Sequence, residues 1–404
     1  MGERTGAGVR YVEDLPATAD LVVIGGGVIG AATAFHAVRA GFHPLVFERR
    51  PAFCSLTTAV AAGGFRLQLD NEEELRLVAE TVEMLLDFRD ATGQAAYDPG
   101  VRQQGYLWLT TTNEGAERQR RLVEAQREWG VDDVEVLDGD EARRLFPFVS
   151  PDVIQARFRQ ADGLFDPKEL TFGLAAGSGA PVALECGALG FRITHGRLAG
   201  VQTTRGFVAT ETAVIAAGPF SGPLAALADV ELPVTTVRRQ KLVMPDVAEV
   251  PSGAPMTVDD DTGVHWRPAF NGAVLLFTDP STPPSEPSDI VPIDHAFAFQ
   301  LLRPDSPTAA ARVAPFWREV WDRGNAHWML QAGQYTETPD GRPLLGQSSV
   351  EGLFVNAGHG GRGVMGGPAM SRHLVDVLTG KIGPEANPFR LDRSFEPRPR
   401  LDPL

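Results

Sequence analysis

The residues best suited to chemistry near the start of the chain are glycines. Gly25, Gly27 and Gly30 form a G-x-G-x-x-G run between the apolar stretch Leu21-Val22-Val23-Ile24 and an alanine-rich stretch ending near Gly41. In such a run the first glycine makes a tight turn, the second lets the backbone approach a pyrophosphate, and the third lets helix and strand pack closely. Val28 and Ile29 fall at the helix start, where unpaired amides and the positive end of the dipole favour a phosphate. Glu48 ends a second apolar run, Pro44 to Phe47, eighteen residues past Gly30, where an acid holds a ribose hydroxyl; Arg49 follows it. The spacing predicts a βαβ dinucleotide site. It does not separate NAD from FAD.

Two distant elements make that separation. Thr212 to Ala217 reads as a buried strand that turns at Ala217-Gly218-Pro219. Leu353 to Ala357 reads as another strand, joined by Gly358-His359-Gly360-Gly361-Arg362-Gly363 to a helix over 364–378. Bare backbone amides at that helix start suit the negative charge of a reduced flavin ring. His359 sits in this turn, where it either fits the backbone geometry and touches a ring edge or acts directly.

The order of these three elements resembles the FAD-dependent amino-acid and amine oxidoreductases of the D-amino-acid oxidase superfamily, in particular the glycine oxidase and sarcosine oxidase branch. Ala61-Ala62-Gly63-Gly64-Phe65-Arg66, Asp162 to Pro167 and Tyr335 to Pro343 support the resemblance, which spans nearly the whole chain and is weakest over 230–325. It implies non-covalent FAD and oxidation of a C–N bond in an amino acid or an N-carboxymethyl or N-methyl amino acid. The hydride goes to flavin N5, the imine hydrolyses, and oxygen returns as hydrogen peroxide. A dehydrogenase feeding an electron carrier or quinone and a flavoprotein assembly factor without turnover stay open.

The resemblance also assigns roles by position. Arg66 matches an arginine that holds the substrate carboxylate, and a guanidinium pairs with a carboxylate bidentately. Arg362 has two roles open: a second carboxylate clamp, or a flavin contact. Met365 stands where sarcosine oxidases carry a carboxylate-gripping lysine, and Tyr335 where glycine oxidase and D-amino-acid oxidase carry an arginine. Gly333 replaces the cysteine that attaches the flavin in monomeric sarcosine oxidases. Leu276 falls where a lysine assists the reaction with oxygen. His265, beside Trp266, reads as packing more than as substrate lining. Tyr106 and Trp108 have two readings open, pocket walls or core, and aromatics at alternating spacing are more often core.

These residues need a scaffold of two parts. The expected fold is an α/β, two-domain flavoprotein: a Rossmann-like FAD domain (1–95, 150–230 and 331–404) and a substrate domain with a mixed or antiparallel sheet (96–149 and 231–330). Leu75, Val78, Ala79, Val82, Leu85 and Leu86 recur at helical spacing and predict a helix over 72–90. Val182 to Leu184 is expected to join a meander with 190–193 and 198–204, and 279–292 is expected to be a proline-rich loop.

Composition bounds the partners. The 404 residues carry a net charge of −15, which argues against nucleic acid or an anionic membrane surface. Lysine occurs only at Lys168, Lys241 and Lys381. Cys54 and Cys186 allow one disulfide at most and lie in no CxxC pair, so neither a disulfide framework nor a zinc site is expected. Residues 1–20 do not read as a signal peptide, and a cytoplasmic location is expected. Expected partners are a small amine or amino acid and oxygen or a carrier; the oligomeric state is open.

Overall fold

The computed structural model describes residues 8–324, 327–396, Asp402 and Leu404. Leu21–Ile24 lies inside a six-stranded sheet, in the order 344–347, 353–357, 213–215, 21–24, 44–47, 182–183. All neighbours are parallel except the first pair. Leu21–Ile24 and Pro44–Phe47 are buried throughout because both faces of this sheet are covered. Leu21, Val23 and Val46 pack under the helices Val28–Arg39, Glu72–Leu86, Pro167–Ser178 and Gly363–Leu378. Val22, Ile24, Leu45 and Phe47 pack on the other side against Val201, Val208 and Leu224.

Local chemistry sets the helix ends. The first helix stops at Arg39, and Gly41 turns the chain at φ +94°. Asn71 caps Glu72–Leu86 by accepting from the Glu74 amide at 2.9 Å. The helix expected to reach Asp90 breaks at Asp87, and Phe88–Thr92 forms a separate short helix ended by Gly93 at φ +69°. The Val182–Ala183 strand departs from expectation too. It is buried on both faces, and pairs in parallel with Val46 and Phe47 rather than joining the meander of 188–194, 197–203 and 206–208.

A second, eight-stranded mixed sheet has the order 329–337, 235–244, 272–277, 264–269, 256–259, 106–110, 155–159, 135–138. Only 256–259 and 106–110 run parallel. Two of its strands, Gln155–Arg159 and Met329–Glu337, fall in or across segments expected in the nucleotide-binding part. Arg157 and Arg159 broke the apolar pattern that would have marked the first as a core strand. Behind this sheet Leu242, Met244, Trp266 and Leu275 pack on the helices Ala296–Leu302 and Phe316–Arg323. Residues 279–292 hold no helix or strand beyond one isolated bridge, Val237 to Pro284.

Candidate active site

The front of the eight-stranded sheet faces the glycine-rich turns of the six-stranded one across a cavity of about 500 Å³. Strand register fixes which side chains share that front, because directly opposed residues point to the same face. Lys241 opposes Leu276, Leu276 opposes His265, His265 opposes Val258, Val258 opposes Trp108, and Trp108 opposes Arg157. One row of side chains thus crosses six strands. Leu276 and His265 in this row line the cavity, as do Tyr106 and Met256 in the adjoining row.

At the opposite wall, Gly25, Gly27, Val28 and Ile29 line the cavity. Gly25 turns at φ +129°, and a Cβ on Gly30 would overlap the Gly25 carbonyl oxygen, so Gly30 serves packing rather than the wall. The helix beginning at Val28 has no acid in its first turn, and no side chain of Gly27 to cap it. Its Val28 amide donates to Thr58 Oγ1 at 3.2 Å. Glu48 accepts from the Gly26 amide at 2.8 Å and from the Arg50 amide at 2.7 Å, one bond to each oxygen. Burial raises its pKa, and these amides and the nearby arginines oppose that rise. Arg49 stacks over Phe220, 3.6 Å from the ring centre, and pairs with Asp289. Ala217 and Gly218 continue the wall toward Phe220. A glycine cradle, a helix start that its own N-cap residue does not cap and an oriented carboxylate fit the phosphates and ribose of FAD.

The third part of the wall is Gly63, Gly64, Arg66, Tyr335, His359, Gly360, Gly361, Arg362, Gly363 and Met365. His359 Nε2 and Asn356 Oδ1 are 2.9 Å apart, and the Asn356 amide nitrogen donates to Thr33 and Ser371 at 3.0 Å. Burial holds His359 and His265 near pKa 4, so both rings are neutral at pH 7. His265 lines the cavity and is also packed, with Nδ1 2.9 Å from the Gly263 carbonyl. Besides Gly30, three expected positions stand back from the wall, and Trp108, packed into the core beside Tyr106, is one of them. Gly333 packs against Val60, and Gly358 lies under Thr338.

The two arginines differ sharply. Arg362 Nη1 donates to Glu74 at 2.6 Å, and Nη2 lies 3.3 Å from Asp70. Its charge is directed toward Asp70 and the helix Glu72–Leu86. Removing one partner from such a buried pair costs about 3–5 kcal/mol. Arg66 is 3% exposed, lies 5.0 Å from the Trp108 ring and pairs with Asp402 at 2.6 Å. Sequence reasoning did not find Asp402, Arg157, Thr58 or Phe220. Thr58 had a readable signal, since Thr57-Thr58 lies just before the glycines at 63 and 64; the others had none.

Residues 20–377 match the family described as FAD dependent oxidoreductase. Human mitochondrial sarcosine dehydrogenase is 26% identical over 89% of this chain and 39% of its own length. This chain therefore spans about two fifths of the mitochondrial sarcosine dehydrogenases it matches. Glycine oxidase of Pseudomonas putida is 26% identical over 94% of this chain and 99% of its own. The fold is shared with the L-proline dehydrogenase of P. horikoshii, at TM-score 0.79 and 23% identity over 91% of this chain and 95% of that one. Among the described residues no helix is long and apolar enough to cross a membrane, and no His/Cys/Asp/Glu group could hold a metal. The chain belongs to the FAD dependent oxidoreductase family, and FAD is its cofactor.

Proposed function

We propose that the enzyme oxidises the C–N bond of an amino acid or N-substituted amino acid and passes the electrons to oxygen. The observation that carries this reading is Arg66, a buried arginine that lines the cavity together with Gly63, Gly64 and Tyr106. FAD, held by the glycine turn at 25–30, Glu48 and the backbone at 360–363, would supply a two-electron acceptor for the C–H bond beside nitrogen and would pass the electrons to oxygen as hydrogen peroxide. Arg66 holds the carboxylate and so fixes which C–H bond faces inward. Leu276, Met256 and Met365 exclude water from that bond. The amine reacts in its neutral form, whose lone pair makes the C=N bond, and the neutral His265 and His359 add no positive charge to the site. The resulting imine hydrolyses to a carbonyl compound and an amine. FAD is proposed to be held without a covalent bond, since Gly333 offers no sulfur.

A second reading is a dehydrogenase that hands electrons to a carrier. The apolar Leu276 in the cavity favours it, because no cation replaces it at that point of the wall. Anaerobic titration of the FAD-loaded protein with glycine, sarcosine, proline, D-alanine and N-carboxymethyl amines tests both. Bleaching by one of these supports amine oxidation, and no bleaching by any of them defeats it. Admitting air then separates the readings: fast recovery with one peroxide per flavin fits the oxidase, and slow recovery fits the dehydrogenase.

A further inference from the structure

We infer that Arg157 is a second anion-binding residue of the substrate site, and that the substrate is an amino acid or N-substituted amino acid carrying a second carboxylate. This rests on the amine-oxidising reading above. Arg157 is 0% exposed, and none of its three side-chain nitrogens has a hydrogen-bond partner among the described residues. A guanidinium offers five donors in a fixed fork, and leaving charged donors buried and bare is costly. Of the acids nearby, Asp162 is engaged, while Asp260 keeps Oδ1 without a hydrogen bond and meets Arg157 by charge alone. Asp162 takes hydrogen bonds from Arg159, Gln68 and the Leu67 amide. Asp260 accepts from Gln119 and lies 3.6 Å from Arg118. Burial pulls the Arg157 pKa below its ordinary value, against the attraction of Asp260 and Asp402.

The position of this fork points to substrate rather than to structure. Arg157 lies in the same cross-strand row as His265 and Leu276, which line the cavity, and it stands with Trp108 just beyond that lining. Its guanidinium carbon is 4.1 Å from the centre of the Trp108 ring, and that of Arg66 is 5.0 Å from the same centre. The two cations are therefore at most about 9 Å apart, within reach of the ends of one short dicarboxylic chain. An anion is already accommodated here, since the Asp402 carboxylate sits on Arg66 and stands in for a substrate carboxylate. Leu404, two residues on, lines the cavity and packs with Trp108. A substrate with one carboxylate would replace Asp402 on Arg66 and leave Arg157 bare; a second carboxylate satisfies it.

The test uses the FAD-loaded full chain and dead-end ligands, with Kd read from perturbation of the flavin absorbance. Glutarate should bind at least about tenfold more tightly than acetate, beyond the statistical factor of two, as loss of a charge-assisted pair implies. In Arg157→Met that ratio should collapse toward the statistical factor, and Arg157→Lys should fall between, because an ammonium keeps charge but loses the fork. Flavin content and melting temperature report whether the variants fold; if they do not, the wild-type ratio decides alone. Equal wild-type affinities, or an unchanged ratio in a folded Arg157→Met, overturn the proposal. Anaerobic reduction by sarcosine and by iminodiacetate separates it from the reading beneath it. Selective glutarate binding without bleaching by any amine removes amine oxidation and keeps the anion site. Bleaching by both amines with equal efficiency keeps amine oxidation and removes the site.

Discussion

The Asp402 carboxylate lies 2.6 Å from the Arg66 guanidinium, and both side chains are buried, at 0% and 3% exposure. The arginine proposed to hold a substrate carboxylate thus already holds one from its own chain. An internal ligand needs no encounter, so it competes with any external one, and the apparent affinity falls by the fraction of Arg66 left free. Asp402→Asn should therefore lower KM for a carboxylate substrate by roughly tenfold, with kcat little changed. Steady-state kinetics on the FAD-loaded variant measure it. An unchanged or higher KM would mean that Arg66 does not meet the substrate.

Gly30→Ala tests the cradle. The new methyl would overlap the Gly25 carbonyl oxygen, at the turn proposed to hold the pyrophosphate. Overpacking of this kind costs about 1–3 kcal/mol and here falls on the turn itself. The variant should purify with little flavin and bind added FAD at least about tenfold more weakly. Gly41→Ala is the control. It strains a φ of +94° with no atom in its way, so it should lower the melting temperature and keep the flavin.

The parts legible in the sequence were those governed by local rules. The βαβ unit, the Gly41 stop and the strand Leu353–Ala357 follow from apolar runs and glycine positions. The partners of the charged residues were not legible. Glu74 reads as an acid favoured by its helix dipole, yet it is 1% exposed and neutralises Arg362 across 288 positions of chain. Arg157 hid for the same reason, since its strand looks like polar surface until Trp108 is set opposite it. The first pairing is set by how two helices pack and the second by sheet register, which the sequence pattern does not encode for a strand with charges on its inner face.

His36 should make the fold acid-sensitive. Burial holds its pKa near 4, below the ordinary 6.5, against a weaker pull from Asp376. The folded state therefore binds its proton less readily than the unfolded chain, and this contribution to stability is complete above pH 6.5 and lost as pH falls to 4. At about 1.4 kcal/mol per pH unit, the loss approaches roughly 3 kcal/mol. Denaturant melts of the wild type and His36→Gln at pH 7 and pH 4.5 check it. The wild type should lose more stability than the variant between those values, and parallel losses would contradict the assignment.

Lys241 decides between the two electron acceptors. It opposes Leu276 in the cross-strand row, and its Nζ lies 3.5 Å from the Ala61 carbonyl, beside the residues that line the cavity. Burial lowers its pKa to about 8, helped by Arg267 and Lys168. Oxygen gains negative charge as it is reduced, and a nearby cation in a low-dielectric site stabilises that charge. If oxygen is the acceptor, the reaction of reduced enzyme with oxygen should be fast below pH 8, where Lys241 is charged, and slow above it. Lys241→Met should be slower at pH 7 by about tenfold, and its rate should no longer change through pH 8. Stopped-flow mixing with aerated buffer gives both numbers. A wild type that is slow at every pH, and no slower as Lys241→Met, would place the electrons on a carrier, because the one cation adjoining Leu276 in this row would then have no oxygen to serve.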